Sequence, residues 1–259
     1  MPAETKQERL SQTLAVASDW EEVPLSTSDL IFDDGEPLES NRYRTAMNGP
    51  IRSVHEACAH RNDVFVGGNM FVYYSNRQVR NEDFRGPDFF VVLGVDTNKA
   101  RKAWVAWEEG GRLPDVIIEL MSPTTAHIDT GIKKDLYEQE WRTSEYFVFD
   151  PFNPNSLQGW RLDDDGRYQP LRPDARGWLW SETLELWLGT WSGIIQREPA
   201  IWLRFYDGDG NLVPLPEEAA LALAEQERER AEQERERAER LAAQLRELGI
   251  DPDVRSSED

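Results

Sequence analysis

Three short apolar runs constrain this chain more than any other feature. FFVVLGV (89–95), VIIELM (116–121) and YFVFDP (146–151) are each the length of a strand and are bounded by Pro-Asp pairs, prolines or turn residues. Runs with little polar alternation are buried on both faces, so they predict central strands of a covered sheet. Between the second and third lies AHIDTGIKKDLYEQEWRT, where Ile132, Leu136 and Tyr137 recur at helical spacing and Asp129 or Thr130 is placed to cap the N-terminus. With VFVGGNMFVYY (64–74) as a further strand, or two strands meeting at Gly67-Gly68, the order is strand, strand, strand, helix, strand around one core. That is an α/β unit.

The flanks add to this core. IRSVHEACAHRND (50–62) reads as a helix turning into a loop, and NKARKAWVAWEEGGRL as an extra strand and turn. LQGWRLDDDGRYQPL and WLRFYDGDGNLVPLP place Asp-Gly turns between apolar runs, which predicts hairpins. The tryptophan-rich ARGWLWSETLELWLGTWSG between them is expected to cover one side of the sheet. DGDGN lacks the twelve-residue ligand series of a calcium loop and reads as a turn. From Glu217 the chain repeats every seven residues (AEQERER, AEQERER, AERLAAQ), with one apolar position per heptad at Ala224, Ala231, Ala238 and Leu245. A firm coiled coil wants two such positions. Glu225 with Arg228 and Glu232 with Arg235 support a solvated helix instead, with weak self-association through its leucine-bearing end as the alternative. The 259 residues therefore divide into a poorly ordered segment (1–25), one domain (26–214), a charged helical or coiled-coil tail (215–249) and a disordered end (250–259).

Charge bears on the partner. The net charge is -20, but the acids gather at the ends: residues 201–259 hold 16 acids and 8 bases, whereas 51–100 hold 6 of each. No segment is basic, so tight nonspecific DNA binding at ordinary salt is not expected. No apolar run approaches a membrane span, and one cysteine, Cys58, excludes an internal disulfide, as fits a reducing cytoplasm.

Candidate chemistry begins at Glu119. Alternation along 115–120 puts Asp115, Ile117 and Glu119 on one face, and a carboxylate in an apolar strand needs a cation or hydrogen bonds. Pro87-Asp88 opens the preceding buried strand. If the two strands are neighbours, Asp88 and Glu119 meet, and a small set of carboxylates with waters is how Mg2+ is held. Lys133 and Lys134 open the next helix, where either could reach Glu119, and Glu56 could approach from the first helix. Ser122 with His127 lacks a nucleophile elbow, so Ser-Pro-Thr-Thr reads as a turn. His55 and His60 are off a shared helical face and gather no zinc partners.

GPDFFVV, LPDVIIELMSPTT, the K-x-x-x-Y pattern from Lys133 to Tyr137, EYFVFDP and WLRFYDGDGNLVPLPEE together resemble the putative restriction endonuclease family multiplied in cyanobacteria, within the PD-(D/E)xK nuclease superfamily. The resemblance covers roughly residues 40–259. It implies an α/β fold with a restriction-endonuclease-like mixed sheet flanked by helices, followed by the charged C-terminal helix. It also implies a DNA endonuclease dependent on Mg2+ (or Mn2+), with Asp88 and Glu119 as metal ligands, Glu56 as a further one, Lys133 or Lys134 as the catalytic lysine, and a homodimer as a possible assembly. The chain departs from the superfamily pattern at Met121, where a lysine is expected. The competing expectation is a non-catalytic module of the same fold that uses its helical tail for partner contacts.

Overall fold

The computed structural model describes residue 30, residues 40–75 and residues 85–248. The expected poorly ordered segment 1–25 and disordered end 250–259 lie outside the described residues. The chain divides into two compact units, Met1–Val213 and Pro214–Asp259.

The first unit begins with α1 (Asn41–Ala57), β1 (Val64–Gly67), β2 (Val72–Tyr73), β3 (Phe89–Leu93), β4 (Trp104–Val105) and β5 (Val116–Leu120). A helical segment follows: α2 (Ala126–Ile128), a π turn (Asp129–Lys133) and α3 (Lys134–Gln139). Then come β6 (Glu145–Asp150), β7 (Asn153–Leu162), β8 (Tyr168–Pro170), β9 (Leu179–Ser181), β10 (Leu186–Ile195) and β11 (Glu198–Tyr206). The three apolar runs are β3, β5 and β6, adjacent at the centre of a six-stranded sheet ordered β1-β3-β5-β6-β7-β8. Neighbours are antiparallel except β5 and β6, which run parallel because the helical segment carries the chain back between them. The fold is α/β with a mixed sheet.

Both faces of the sheet are covered, as unalternated apolar strands require. On one side Phe90, Val92, Ile117, Tyr146 and Val148 pack with Tyr137 and with Trp141 just beyond α3. On the other, α1 packs across β1, β3, β5 and β11 and buries Ala46, Met47, Pro50 and Val54. Phe89 meets Phe205 of β11 at 6.1 Å between ring centroids. β9 and most of β10 come from the tryptophan-rich stretch and form, with β11, a separate antiparallel sheet. The chain between Gly67 and Val72 separates two strands rather than bulging one, because β2 pairs with β4 in a parallel two-stranded sheet.

The helix expected after β5 starts earlier than Asp129. Its entry is the Ser122–Thr125 turn: the Ser122 N–H donates to Thr125 Oγ1 (3.0 Å) and the Thr125 N–H to Ser122 Oγ (3.2 Å). Asp129 lies inside the helical segment and is buried, so it is not the cap. α1 likewise begins at Asn41, before the expected stretch, with the Ser40 hydroxyl accepting from the Tyr43 N–H.

The second unit is α4 (Pro216–Glu247), with proline in its first turn and Glu218 accepting from the Leu215 N–H at 2.7 Å. None of its described side chains is buried. Arg228 pairs with Glu225 at 2.6 Å and Arg235 with Glu232 at 3.7 Å, the expected i,i+3 pattern. Among the described residues no helix is long and apolar enough to cross a membrane.

Candidate metal centre

β3 and β5 pair Phe89 with Ile118 and Phe90 with Ile117, so the residues one step along, Asp88 and Glu119, stand opposite each other. Side-chain to backbone bonds tie them together. Leu120 N–H donates to Asp88 Oδ2 at 2.7 Å, and Asp88 N–H points at Glu119 Oε2 at 3.5 Å. The third carboxylate of this neighbourhood, Asp115, is taken up at the far end of the ladder, where its Oδ2 accepts from the Leu93 N–H at 2.7 Å. Of the acids on this face, Glu119 is the one left facing Asp88.

Glu119 is 1% exposed, and its charge is met by two groups from the helical segment. The Tyr137 hydroxyl donates to Oε1 at 2.7 Å, and Lys133 Nζ lies 3.0 Å from Oε2. Lys133 also pairs with Asp129 Oδ1 at 2.8 Å. Asp129, Lys133 and Tyr137 are spaced four apart, so one helical face delivers all three to the sheet. The Tyr146 hydroxyl on β6 donates to the Asp129 backbone carbonyl at 2.8 Å and fixes the start of the π turn against the strand.

The electrostatics follow from crowding three carboxylates around one ammonium. Burial and then the neighbouring Glu119 hold the Asp88 carboxyl well above its ordinary range, against the pull of the Leu120 N–H and Lys133. Burial also raises Asp129, opposed by Lys133. For Lys133 burial acts downward, but Glu119 and Asp129 outweigh it and hold the ammonium above the ordinary lysine range. Burial, then Glu119, pushes the Tyr137 phenol far up, so it remains a donor.

The structure separates the two candidate lysines. Lys133 faces the carboxylates, whereas Lys134 Nζ sits over the Trp160 ring at 5.0 Å from its centroid. Met121 is buried in the apolar core on the Glu119 face, so no lysine reaches Glu119 from that position. Glu56 lies at the C-terminal end of α1, and among the described residues no group of three or more histidines, cysteines or acids is gathered for a metal. Glu56 is thus not brought together with Asp88 and Glu119. Sequence reasoning missed the ion-pair role of Asp129. The signal was the Asp129, Lys133, Tyr137 spacing.

A divalent cation fits the pair on the chemistry of its donors. Both groups offer hard carboxylate oxygens, burial and then the nearby Glu119 raise Asp88, and an ammonium already stands at Glu119 Oε2. Two carboxylates with waters and a phosphate is a common Mg2+ ligand set.

The family model described as "Putative restriction endonuclease", Uma2, matches residues 30–193. Among solved structures, the chain is similar to a protein titled a putative nuclease belonging to DUF820 from Anabaena variabilis ATCC 29413. The match is at 13% identity and TM-score 0.39, over 60% of this chain and 84% of that one. No curated protein matches. The family match spans more than half of the chain and includes Asp88, Glu119 and Lys133, and on it this chain belongs to the Uma2 family.

Proposed function

We propose that the chain is a Mg2+-dependent endonuclease that hydrolyses DNA phosphodiester bonds, with Mn2+ able to substitute. The observation that carries this reading is the register of β3 on β5, which sets Asp88 opposite Glu119, with Lys133 Nζ 3.0 Å from Glu119 Oε2. Asp88 and Glu119 would hold the cation. When bound there, it lowers the pKa of a coordinated water and balances charge on the phosphate oxygens. Glu119 is oriented for this by the Tyr137 hydroxyl. Lys133, 27% exposed at its side chain, is the cationic group that reaches from the cluster toward solvent, placed to orient the attacking water and to balance developing charge. Lys133 approaches from the helical segment instead of the strand position held by Met121, which accounts for the departure from the superfamily pattern. Membership of a nuclease-described family supports the same reaction class and DNA as the substrate.

A second reading, a non-catalytic module that uses its tail for partner contacts, is favoured by one observation: none of the described side chains of α4 is buried. The two separate in plasmid nicking with Mg2+ or Mn2+. The endonuclease reading predicts nicking that needs the cation and is lost in Asp88→Ala and Glu119→Ala while circular dichroism shows the fold retained. Equal nicking by all three proteins, or none by the wild type, would overturn it.

A further inference from the structure

The cation-site reading leaves one group unexplained, and the inference here rests on that reading. Asp129 is 1% exposed, and neither carboxylate oxygen accepts a hydrogen bond of normal geometry. Its partner is the Lys133 ammonium at 2.8 Å. A buried carboxylate compensated chiefly by one ion pair, with a smaller contribution from the Thr125 hydroxyl, is costly to keep. Sheet packing does not call for it, since the segment is already fixed by the Tyr146 bond to the Asp129 carbonyl and by Tyr137 and Trp141 in the core.

The arrangement at Glu119 shows what the pair is for. Oε1 is engaged by Tyr137, so the oxygen that faces the Asp88 backbone is Oε2. Oε2 is also where Lys133 sits. An ammonium and a divalent cation at contact distance on that oxygen repel each other, so ion binding drives Lys133 away from its present place on Oε2. Lys133 is thus a tethered stand-in for the ion, and on ion binding it has to move off Oε2 without leaving the site.

We propose that Asp129 is the positioning residue that makes this possible: it retains the Lys133 ammonium beside the carboxylate pair when Glu119 Oε2 turns to a divalent cation. The π turn places Asp129 and Lys133 on the strand-facing side of the segment, and such turns recur at functional sites. With Asp129 present, the ammonium exchanges a shared position for a single carboxylate. Without it, nothing on the segment's own face holds the charge and the partly exposed side chain swings to solvent.

The chain has five lysines, so its ammonium groups are few enough to follow by NMR in full-length protein labelled with 15N-lysine. Lys133 is assigned by the resonance missing in Lys133→Arg. In wild type the resonance is expected to shift at saturating Mg2+ and to persist. In Asp129→Asn it is expected to be present without metal, held by Glu119, and lost with Mg2+. Asp129→Glu, which keeps the charge, is expected to retain it. Persistence of the resonance in Asp129→Asn with Mg2+ overturns the proposal while leaving the cation site standing. Loss in wild type at saturating Mg2+ overturns it whatever the variants do, including a variant that fails to fold. A wild type in which Mg2+ changes neither the lysine resonances nor the melting temperature overturns the cation reading and this proposal together.

Discussion

Glu119 shows how a strand tolerates a carboxylate. It is buried among apolar neighbours and carries a phenol on one oxygen and an ammonium on the other. Removing either partner leaves charge without compensation. Tyr137→Phe is expected to destabilise the fold by about 1–3 kcal/mol in urea denaturation, the cost of stranding one acceptor. Lys133→Met removes the ammonium that two carboxylates share. Breaking a buried pair costs about 3–5 kcal/mol, and the partial exposure of Lys133 puts the loss nearer the lower figure. Asp115 gives the pH test. Burial, opposed by the Leu93 N–H and Arg112, raises its carboxyl above the unfolded value. A group raised in the fold contributes stability when protonated, and that contribution is lost as pH rises from the unfolded pKa through the folded one. Asp115→Asn, neutral throughout, is therefore expected to remove part of the fall in stability above the ordinary aspartate range, read as the difference between wild-type and variant melting curves. Asp88 and Glu119 stood out in the sequence as candidates because a charge at the edge of or inside an apolar run is conspicuous, whereas Lys133 was marked only together with Lys134, and the sequence left the two open. Asp129 did not stand out: an aspartate near a helix start reads as a cap, and burial inside a π turn leaves no trace in composition.

At the level of elements, the centre of the sheet and the β7–β8 hairpin at its edge were legible, and the pairing of the shortest strands was not. β3, β5 and β6 are the three apolar runs, and the adjacency of β3 and β5 sets Asp88 opposite Glu119. β2 and β4 fall inside stretches that read as strands, but each is only two residues long, and their pairing with one another depends on contacts distant in the chain. The π turn was likewise hidden, since one wide turn barely changes a helical pattern. β7 over β6 offers a packing test. Gly159 lies opposite Phe147, and a Cβ built there falls 2.6 Å from the Phe147 ring and 3.0 Å from Leu179. Gly159→Ala must displace a ring that is itself buried, and is expected to cost about 1–3 kcal/mol, typical of an overpacked core, in chemical denaturation. An unchanged midpoint would mean that β6 and β7 are packed more loosely than described.

Over the whole molecule, charge and structure are partitioned together. The helix α4 holds 10 acids against 6 bases, so it is densely charged but only modestly acidic, and its ion pairs are solvated pairs of small individual worth. A chain ended after Pro216 is therefore expected to melt at the same temperature as the full chain, by differential scanning calorimetry. The heptads made the helix legible, and the same repeat, with one apolar position per heptad and alanine at most of them, argued against a firm coiled coil. Family membership was legible from the order of short motifs that are individually weak. The central claim is that Asp88 and Glu119 share one divalent cation. Calorimetric titration of Mn2+ into the full chain tests it most directly: a single saturable site is predicted in wild type, and its loss in Glu119→Gln. Equal binding by the two proteins, or no binding by the wild type, would contradict it.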